Sequence, residues 1–301
     1  MKTLAEARQI ILSEFDGINH WKADTIVVTN AVDRVLAEPV HARLSAPHFH
    51  AAAMDGIAVK ASDTFGASEA QPKQLITGRD AHWVNTGHIL PEDTDAVIMI
   101  EHIHMIDETT LEIDSPAFPW NHIRKIGEDI VATELLFPQN HRITPYCLGA
   151  LLSGGVFSVT VKKKPKILII PTGSELVDWQ QMEDKVLRPG QVLDANSYVL
   201  GGLVTASGAT AVRHDPLMDD ILKLTEEVSL AVHSDADIIL TVGGSSAGSE
   251  DYSKDVIETL GDILVHGVTI MPGKPVIVGN IKGKPIFGIP GYPVSAIIAF
   301  E

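Results

Sequence analysis

Four times in the second half of this chain an apolar run ends in a turn built from Gly, Pro, Ser or Thr. KILIIP leads into PTGSEL (Pro171–Leu176), and DIILTV leads into GGSSAGSEDY (Gly243–Tyr252). VTI leads into MPGKP (Met271–Pro275), and PIFGI leads into PGYPVSA (Pro290–Ala296). A strand that ends in a Gly-rich turn before a helix exposes backbone N–H groups that can cradle an anion. Between these runs lie helix-patterned stretches, NSYVLGGLVTASG, PLMDDILKLTEEVSLAVHS, YSKDVIETLG and PVSAIIAFE. Strand and helix in alternation predict a mostly parallel sheet with helices on both faces, a three-layer α/β domain. In such sheets ligands sit beyond the carboxyl ends of the strands, where all four turns fall. The expected ligand is phosphorylated. Its binding residues are Thr172, Gly173 and Ser174; Gly243, Gly244, Ser245, Ser246 and Gly248; Gly273 and Lys274; and Pro290, Gly291, Pro293 and Ser295.

Acids accompany the turns. Glu175 follows Thr172-Gly173-Ser174, Asp215 follows the strand candidate ATAVRH, and Asp251 closes the serine-rich turn. Carboxylates at three strand ends suit Mg²⁺, which prefers oxygen ligands and bridges to phosphates. Helix capping accounts for any one of them equally well. Lys274, between glycine and proline, offers a point charge for phosphate; a solvated lysine is the plainer reading. Pro293 fits the first turn of a helix whose free N–H groups face the loop.

The rest of the chain is organised differently. Residues 2–16 carry apolar groups at helical spacing, and residues 25–37 repeat the pattern before Pro39. Residues 39–50 look like a connector. Residues 51–128 hold short β-like runs (GIAVK, AVIMIE, TTLEI) between turns, and TPYCLGALLSGG reads as a helix ending at glycine. We therefore expect an arm made from residues 1–50 and 129–163, a β-rich domain of residues 51–128 inserted into it, and an α/β domain of residues 164–301. AIIAFE ends in mid-helix by pattern, which predicts a fragment of a longer protein.

Composition narrows the function. A net charge of -16 argues against nucleic acid as a partner and makes a cation necessary beside any phosphate. No stretch approaches the roughly 18 apolar residues of a membrane span, and the N-terminus lacks the apolar core of a signal peptide. With Cys147 the single cysteine, no internal disulfide forms, and a reducing, cytoplasmic setting is expected. Histidines two apart, His48/His50 and His102/His104, lack the acid or cysteine partners of a zinc site and read as surface or packing residues. Asp55-Gly56 and the Asn85–Gly87 triplet read, by themselves, as turns.

Taken in order, AMDGIAV (53–59), NTGHILPEDTDAVIMIE (85–101), IRKIGEDI (123–130), PKILIIPTGSEL (165–176), LDANSYVL (193–200), the serine-rich turn, MPGKP and PGYPVSA form a specific set. The chain resembles the molybdopterin molybdenumtransferases, the MoeA type that includes the gephyrin E domain. The resemblance implies insertion of molybdate, or tungstate, into adenylylated molybdopterin, with Mg²⁺-dependent release of AMP. It implies an elongated homodimer whose subunits hold an arm, a β-rich domain, an α/β domain and a C-terminal β-barrel, the last absent from this chain. By position it assigns functional roles to Asp55, Thr86, Asp129, Glu175, Asp215 and Asp251. It places Asp55 and Thr86 of one subunit opposite the α/β site of the other. The chain departs from the family pattern at GGSSAG, at Tyr292 in the PGNP position, at Met271 in place of a lysine, and at Ile57 after MDG. A non-catalytic molybdopterin-binding scaffold and a nucleotide-pyrophosphate hydrolase with a related α/β domain are the competing readings.

Overall fold

A computed structural model describes residues 1–16, 22–182, 186–243 and 252–301. The chain divides into two compact units, residues 1–22 with 163–301 and residues 23–162. It opens on helix α1 (Leu4–Glu14). A capping box starts this helix: the Thr3 hydroxyl accepts from the Glu6 N–H at 3.2 Å, and the Glu6 carboxylate accepts from the Thr3 N–H at 2.7 Å. Ala7, Ile10 and Ile11 form its apolar stripe and join the core that contains Val265 and Val268. The Lys2 N–H adds a hydrogen bond to the Gly267 carbonyl at 3.0 Å. The helix expected in the arm therefore belongs to the α/β unit, because that is where its apolar stripe finds a core.

In residues 23–162, β1 (Ala23–Val27) runs antiparallel to β12 (Ser158–Lys162), with Thr25 opposite Thr160. The helix expected over residues 25–37 is absent. Its start is strand followed by one 3₁₀ turn at Val28–Asn30, since the β-branched run Thr25–Val28 is stiff at χ1 and fits a pleat better. β2 (Val40–His41) pairs with β11 (Leu135–Phe137), and β3 (Ala51–Ala52) pairs with β10 (Ile123–Arg124). Helix α2 (Pro145–Ser153) starts with proline in its first turn and ends at Gly154. It packs Leu151 among Leu36, Ile143, Val159 and Val161, a core drawn from both ends of this unit.

Residues 56–113 contain two three-stranded sheets. One is β4 (Gly56–Val59) flanked by β6 (Ala81–Val84) and β7 (Ala96–Met99). The other is β9 (Thr110–Ile113) flanked by β5 (Lys73–Ile76) and β8 (His104–Met105). Ile57, Val59 and Ile98 meet Leu75, Leu111 and Ile113 in a shared core. Ala58 points to the opposite face, with Val97 and Ile123, so β4 is buried on both sides.

The second unit is built on a six-stranded sheet. Its strands are β13 (Lys166–Pro171), β16 (Thr210–Arg213), β17 (Ile238–Val242), β18 (Asp262–His266), β19 (Ile277–Ile281) and β20 (Lys284–Ile289). The spatial order is β16-β13-β17-β20-β19-β18, with the first four parallel and β19 antiparallel to both neighbours. A short pair, β14 (Leu176–Val177) and β15 (Val192–Leu193), lies outside this sheet. Side chains alternate between faces. Ile167, Ile169, Leu240 and Val242 pack under α3 (Asn196–Ala206), α6 (Pro293–Phe300) and α1. Ile170, Ile239, Ile277 and Ile286 pack under α4 (Ile221–His233) and α5 (Tyr252–Leu260). This is the expected three-layer α/β architecture, with one correction. VTI before MPGKP is not a strand; β18 and β19 form a hairpin-like antiparallel edge on either side of it.

Candidate functional site

The glycine-bearing turns converge at the carboxyl ends of the parallel strands. Gly243 ends β17 with φ at 96°, and a Cβ there would overlap the Thr172 carbonyl oxygen, so the two turns meet backbone to backbone. A Cβ on Gly291 would lie 3.6 Å from the Gly243 Cα. Gly273 sits against α6, where a Cβ would come within 3.3 Å of the Ser295 carbonyl oxygen. The turns after β13, β17 and β20 and the MPGKP turn are thus one contiguous edge.

Their roles differ from one another. The N–H groups of Thr172, Gly173 and Gly243 donate to the carbonyls of Val242, Leu217 and Ile289 at 2.8, 2.9 and 3.0 Å. The Ser174 N–H donates to the Asp219 carboxylate at 3.0 Å, and the Asp219 N–H returns a bond to the Ser174 hydroxyl at 3.0 Å. PTGSEL therefore keeps one amide open among the described residues, that of Glu175; the fold uses those of Thr172, Gly173, Ser174 and Leu176 to lock the turn. The N–H groups of Gly291, Tyr292, Val294 and Ser295 donate to no group among the described residues. These amides are open to an anion, at the start of a helix whose dipole favours negative charge. Gly244, Ser245, Ser246, Gly248 and Asp251 lie outside the described residues.

A buried polar network stands behind this edge. The Arg213 guanidinium lies 3.5 Å from the ring centroid of Tyr198. It donates to the Ser197 hydroxyl at 2.7 Å, to Asp178 at 2.8 Å and to Asp194 at 3.1 Å. Asp194 also accepts from the Ser197 N–H and hydroxyl, and Asp178 accepts from the Tyr198 hydroxyl at 3.0 Å and the Gln180 N–H at 2.8 Å. Burial works to raise the Asp178 pKa, but these donors outweigh it and hold the group below its ordinary value of 3.8. The network anchors the first turn of α3. From there the Asn196 side-chain amide donates to the Gly291 carbonyl at 2.6 Å. That carbonyl shares a planar peptide with the Tyr292 N–H, so Asn196 fixes the direction of one open donor. Asp178, Asn196, Arg213 and Asp219 carried no role in the sequence reading. The segment LDANSYVL was the one signal: its Asp194, Ser197 and Tyr198 meet Arg213, and its Asn196 meets the Gly291 carbonyl.

Among the acids, Glu175 folds its carboxylate beside Gly173, where a Cβ would lie 2.9 Å from either oxygen. Asp215 is exposed on the loop after β16, the strand that neighbours β13. Neither carboxylate has a hydrogen-bond or ion-pair partner among the described residues. Among those residues no group of three His, Cys, Asp or Glu gathers as a metal site. Lys274 anchors its turn through its carbonyl, which accepts from the Val268 N–H at 2.9 Å.

The remaining assigned residues lie in the other unit. The Asp55 carboxylate accepts from the Thr86 N–H at 2.7 Å and hydroxyl at 3.0 Å. The Thr86 N–H is the main cause of a lowered Asp55 pKa. Asp129 pairs instead with Arg124, whose pKa rises beside it. The structure brings Asp55 and Thr86 together and gives Asp129 a separate partner.

Residues 2–155 match the family described as "MoeA N-terminal region (domain I and II)", and residues 168–301 match the "Probable molybdopterin binding domain". A molybdopterin molybdenumtransferase of Haemophilus influenzae is 30% identical over 100% of this chain and 75% of its own length. Molybdopterin molybdenumtransferase 2 of Mycobacterium tuberculosis is 34% identical over 92% of this chain and 72% of its own length. The crystal structure of a molybdopterin biosynthesis MoeA protein from Pyrococcus horikoshii superposes with a TM-score of 0.83 at 29% identity, covering 100% of this chain and 76% of that one. The two matched regions and these relatives establish that the chain belongs to the MoeA family of molybdenum cofactor biosynthesis.

Proposed function

We propose that this protein inserts molybdate, or tungstate, into the dithiolene of adenylylated molybdopterin and releases AMP, with magnesium as the required divalent cation. The observation that carries this reading is the row of open N–H groups on Gly291, Tyr292, Val294 and Ser295 on the same edge as the turn that bears the unpartnered Glu175 carboxylate. Those N–H groups and the Lys274 ammonium bind the phosphates of the substrate. Asp219 clamps Ser174 and so orients the neighbouring Glu175 carboxylate. Asn196 and the Arg213 network hold the peptide that presents the Tyr292 N–H. Glu175 and Asp215, free oxygen donors on neighbouring loops, suit a hard cation and would hold magnesium, with Asp251 as a third acid. Bound there, magnesium supplies the charge that neutralises phosphate oxygens as AMP leaves.

We further propose a homodimer in which Asp55 and Thr86 of one protomer complete the α/β site of the other. We read residues 51–128 as a domain inserted between the two halves of the arm, residues 23–50 and 129–162. The cores of the two sheets and of the arm are separate, which supports that division.

The test is to measure AMP released from adenylylated molybdopterin with and without molybdate. The expected result is release that requires both molybdate and Mg²⁺, one AMP for each dithiolene filled. Release that ignores molybdate points to a plain pyrophosphate hydrolase, and tight binding without release points to a scaffold.

A further inference from the structure

At the opposite end of the α/β sheet, the amino ends of the parallel strands surround a cavity of about 490 Å³. Lys166 begins β13, Thr210 begins β16, Asp237 precedes β17 and Lys284 begins β20, and all four line it. Lys22, Lys163, Lys164, Ser234 and Asp235 complete most of the wall. Strands of four to six residues at about 3.3 Å per residue separate this cavity from the turns described above by roughly 13–20 Å. It belongs to one unit and shares no residue with the phosphate edge.

Its charge is the reverse of the protein's. Five lysines face two aspartates in a chain whose net charge is -16. Two of the lysines are already engaged. Lys166 pairs with Asp235 at 2.8 Å, and its N–H bonds Asp237 at 2.7 Å. Lys284, half-buried, donates to the Ser234 carbonyl at 2.6 Å and so caps the end of α4. Lys22, Lys163 and Lys164 form no ion pair among the described residues, although Lys163 lies near enough to Asp235 to help lower its pKa. Two of them are held together by the backbone, since the Lys163 N–H donates to the Lys22 carbonyl at 2.7 Å. Clustered like charges in a concave wall repel one another, and a bound anion removes that cost.

We propose that this cavity is a second anion site that takes a small oligophosphate. Three ammonium groups outside any ion pair exceed what one phosphate neutralises and match a chain of two or three. The volume falls in the usual range of small-ligand sites, about 300–1,000 Å³. Among the described residues no arginine lines the wall, and its lysines hold phosphate as point charges, not by a planar fork. Among the described residues no aromatic side chain lines it, and this part of the wall gives a nucleobase nothing to stack on. The phosphate chain alone is recognised, and inorganic triphosphate and the phosphate tail of a nucleotide are equivalent ligands.

Isothermal titration of the full chain with inorganic triphosphate, ATP and AMP, at low salt and without magnesium, tests this. Three proteins are compared: wild type, the Lys163→Gln/Lys164→Gln double variant, and Lys274→Ala at the other edge. Triphosphate and ATP should bind wild type with affinities within about threefold of each other. AMP should bind this site at least tenfold more weakly. The double variant should lose at least tenfold in triphosphate affinity while keeping its thermal midpoint, and Lys274→Ala should keep the site. Equal triphosphate binding by wild type and the double variant overturns the proposal, as does ATP binding tenfold tighter than triphosphate at a site the double variant abolishes. No triphosphate binding to wild type at millimolar concentration also overturns it.

Discussion

Arg213 shows how a single side chain can set a site that it does not touch. Its guanidinium satisfies Asp178 and Asp194, of which Asp194 is 3% exposed, and it covers the Tyr198 ring. Removing one partner of a buried ion pair leaves charge without compensation and typically costs about 3–5 kcal/mol. Arg213→Met should therefore lower the unfolding midpoint sharply in a urea titration, and Arg213→Lys should recover only part of the loss, because an ammonium cannot reproduce the fork. The pH dependence has a definite sign. The folded Asp178 pKa lies below 3.8, so its stabilisation is complete above that value and is lost as pH falls through the lowered one. Wild-type stability should hold from neutral pH to near the ordinary aspartate value and fall below it. In Arg213→Met the Gln180 N–H and the Tyr198 hydroxyl still donate to Asp178, but the strongest donor set against its burial is gone, and the difference from wild type should shrink on acidification. An acid limb identical in the two proteins would show that Asp178 is not tied to Arg213.

At the scale of elements, helices α3 to α6 and strands β13, β16, β17 and β20 were legible because each has an unbroken period or apolar run and a turn at its end. Three features were not. The stretch 25–37 shows helical spacing, yet its β-branched start pairs with β12, a partner more than a hundred residues away that no local pattern reveals. The strands β18 and β19 hide because β18 follows directly on a helix with only a short apolar run of its own and a glycine- and proline-bearing turn separates the two. The first helix was recognised, but not its place, since an amphipathic stripe does not say which core receives it. The phosphate edge was legible as a set of turns; which amides stay open was not, because that depends on bonds such as Ser174 to Asp219 between distant loops. The α/β core itself makes a firm prediction. Ile169 is fully buried between α3 and the sheet, and Ile169→Ala should cost about 2–5 kcal/mol, read from the shift in denaturation midpoint at unchanged slope. A loss below about 1 kcal/mol would mean that α3 is not packed as described.

At the scale of the whole molecule, the residues assigned to one reaction are divided between two units, with Asp55 and Thr86 in one and Glu175, Asp215 and the amide row in the other. If the partner subunit unites them, mixing Asp55→Ala with Glu175→Ala protein should restore part of the activity that each lacks alone, since a mixed dimer keeps one intact site. Sedimentation at micromolar concentration should show the dimer itself; a monomer that is fully active would refute the shared site. The most direct measurement remains AMP release from adenylylated molybdopterin in the presence of molybdate, followed against Mg²⁺ for wild type and Glu175→Ala. Glu175 is exposed on a turn, so its removal should cost no more than about 0.5 kcal/mol of stability. Loss of a ligand that holds the cation beside the cleaved phosphate should instead slow release by roughly 100- to 1,000-fold. Wild-type turnover by Glu175→Ala at saturating Mg²⁺ would contradict the assignment of this edge as the place where metal enters the cofactor.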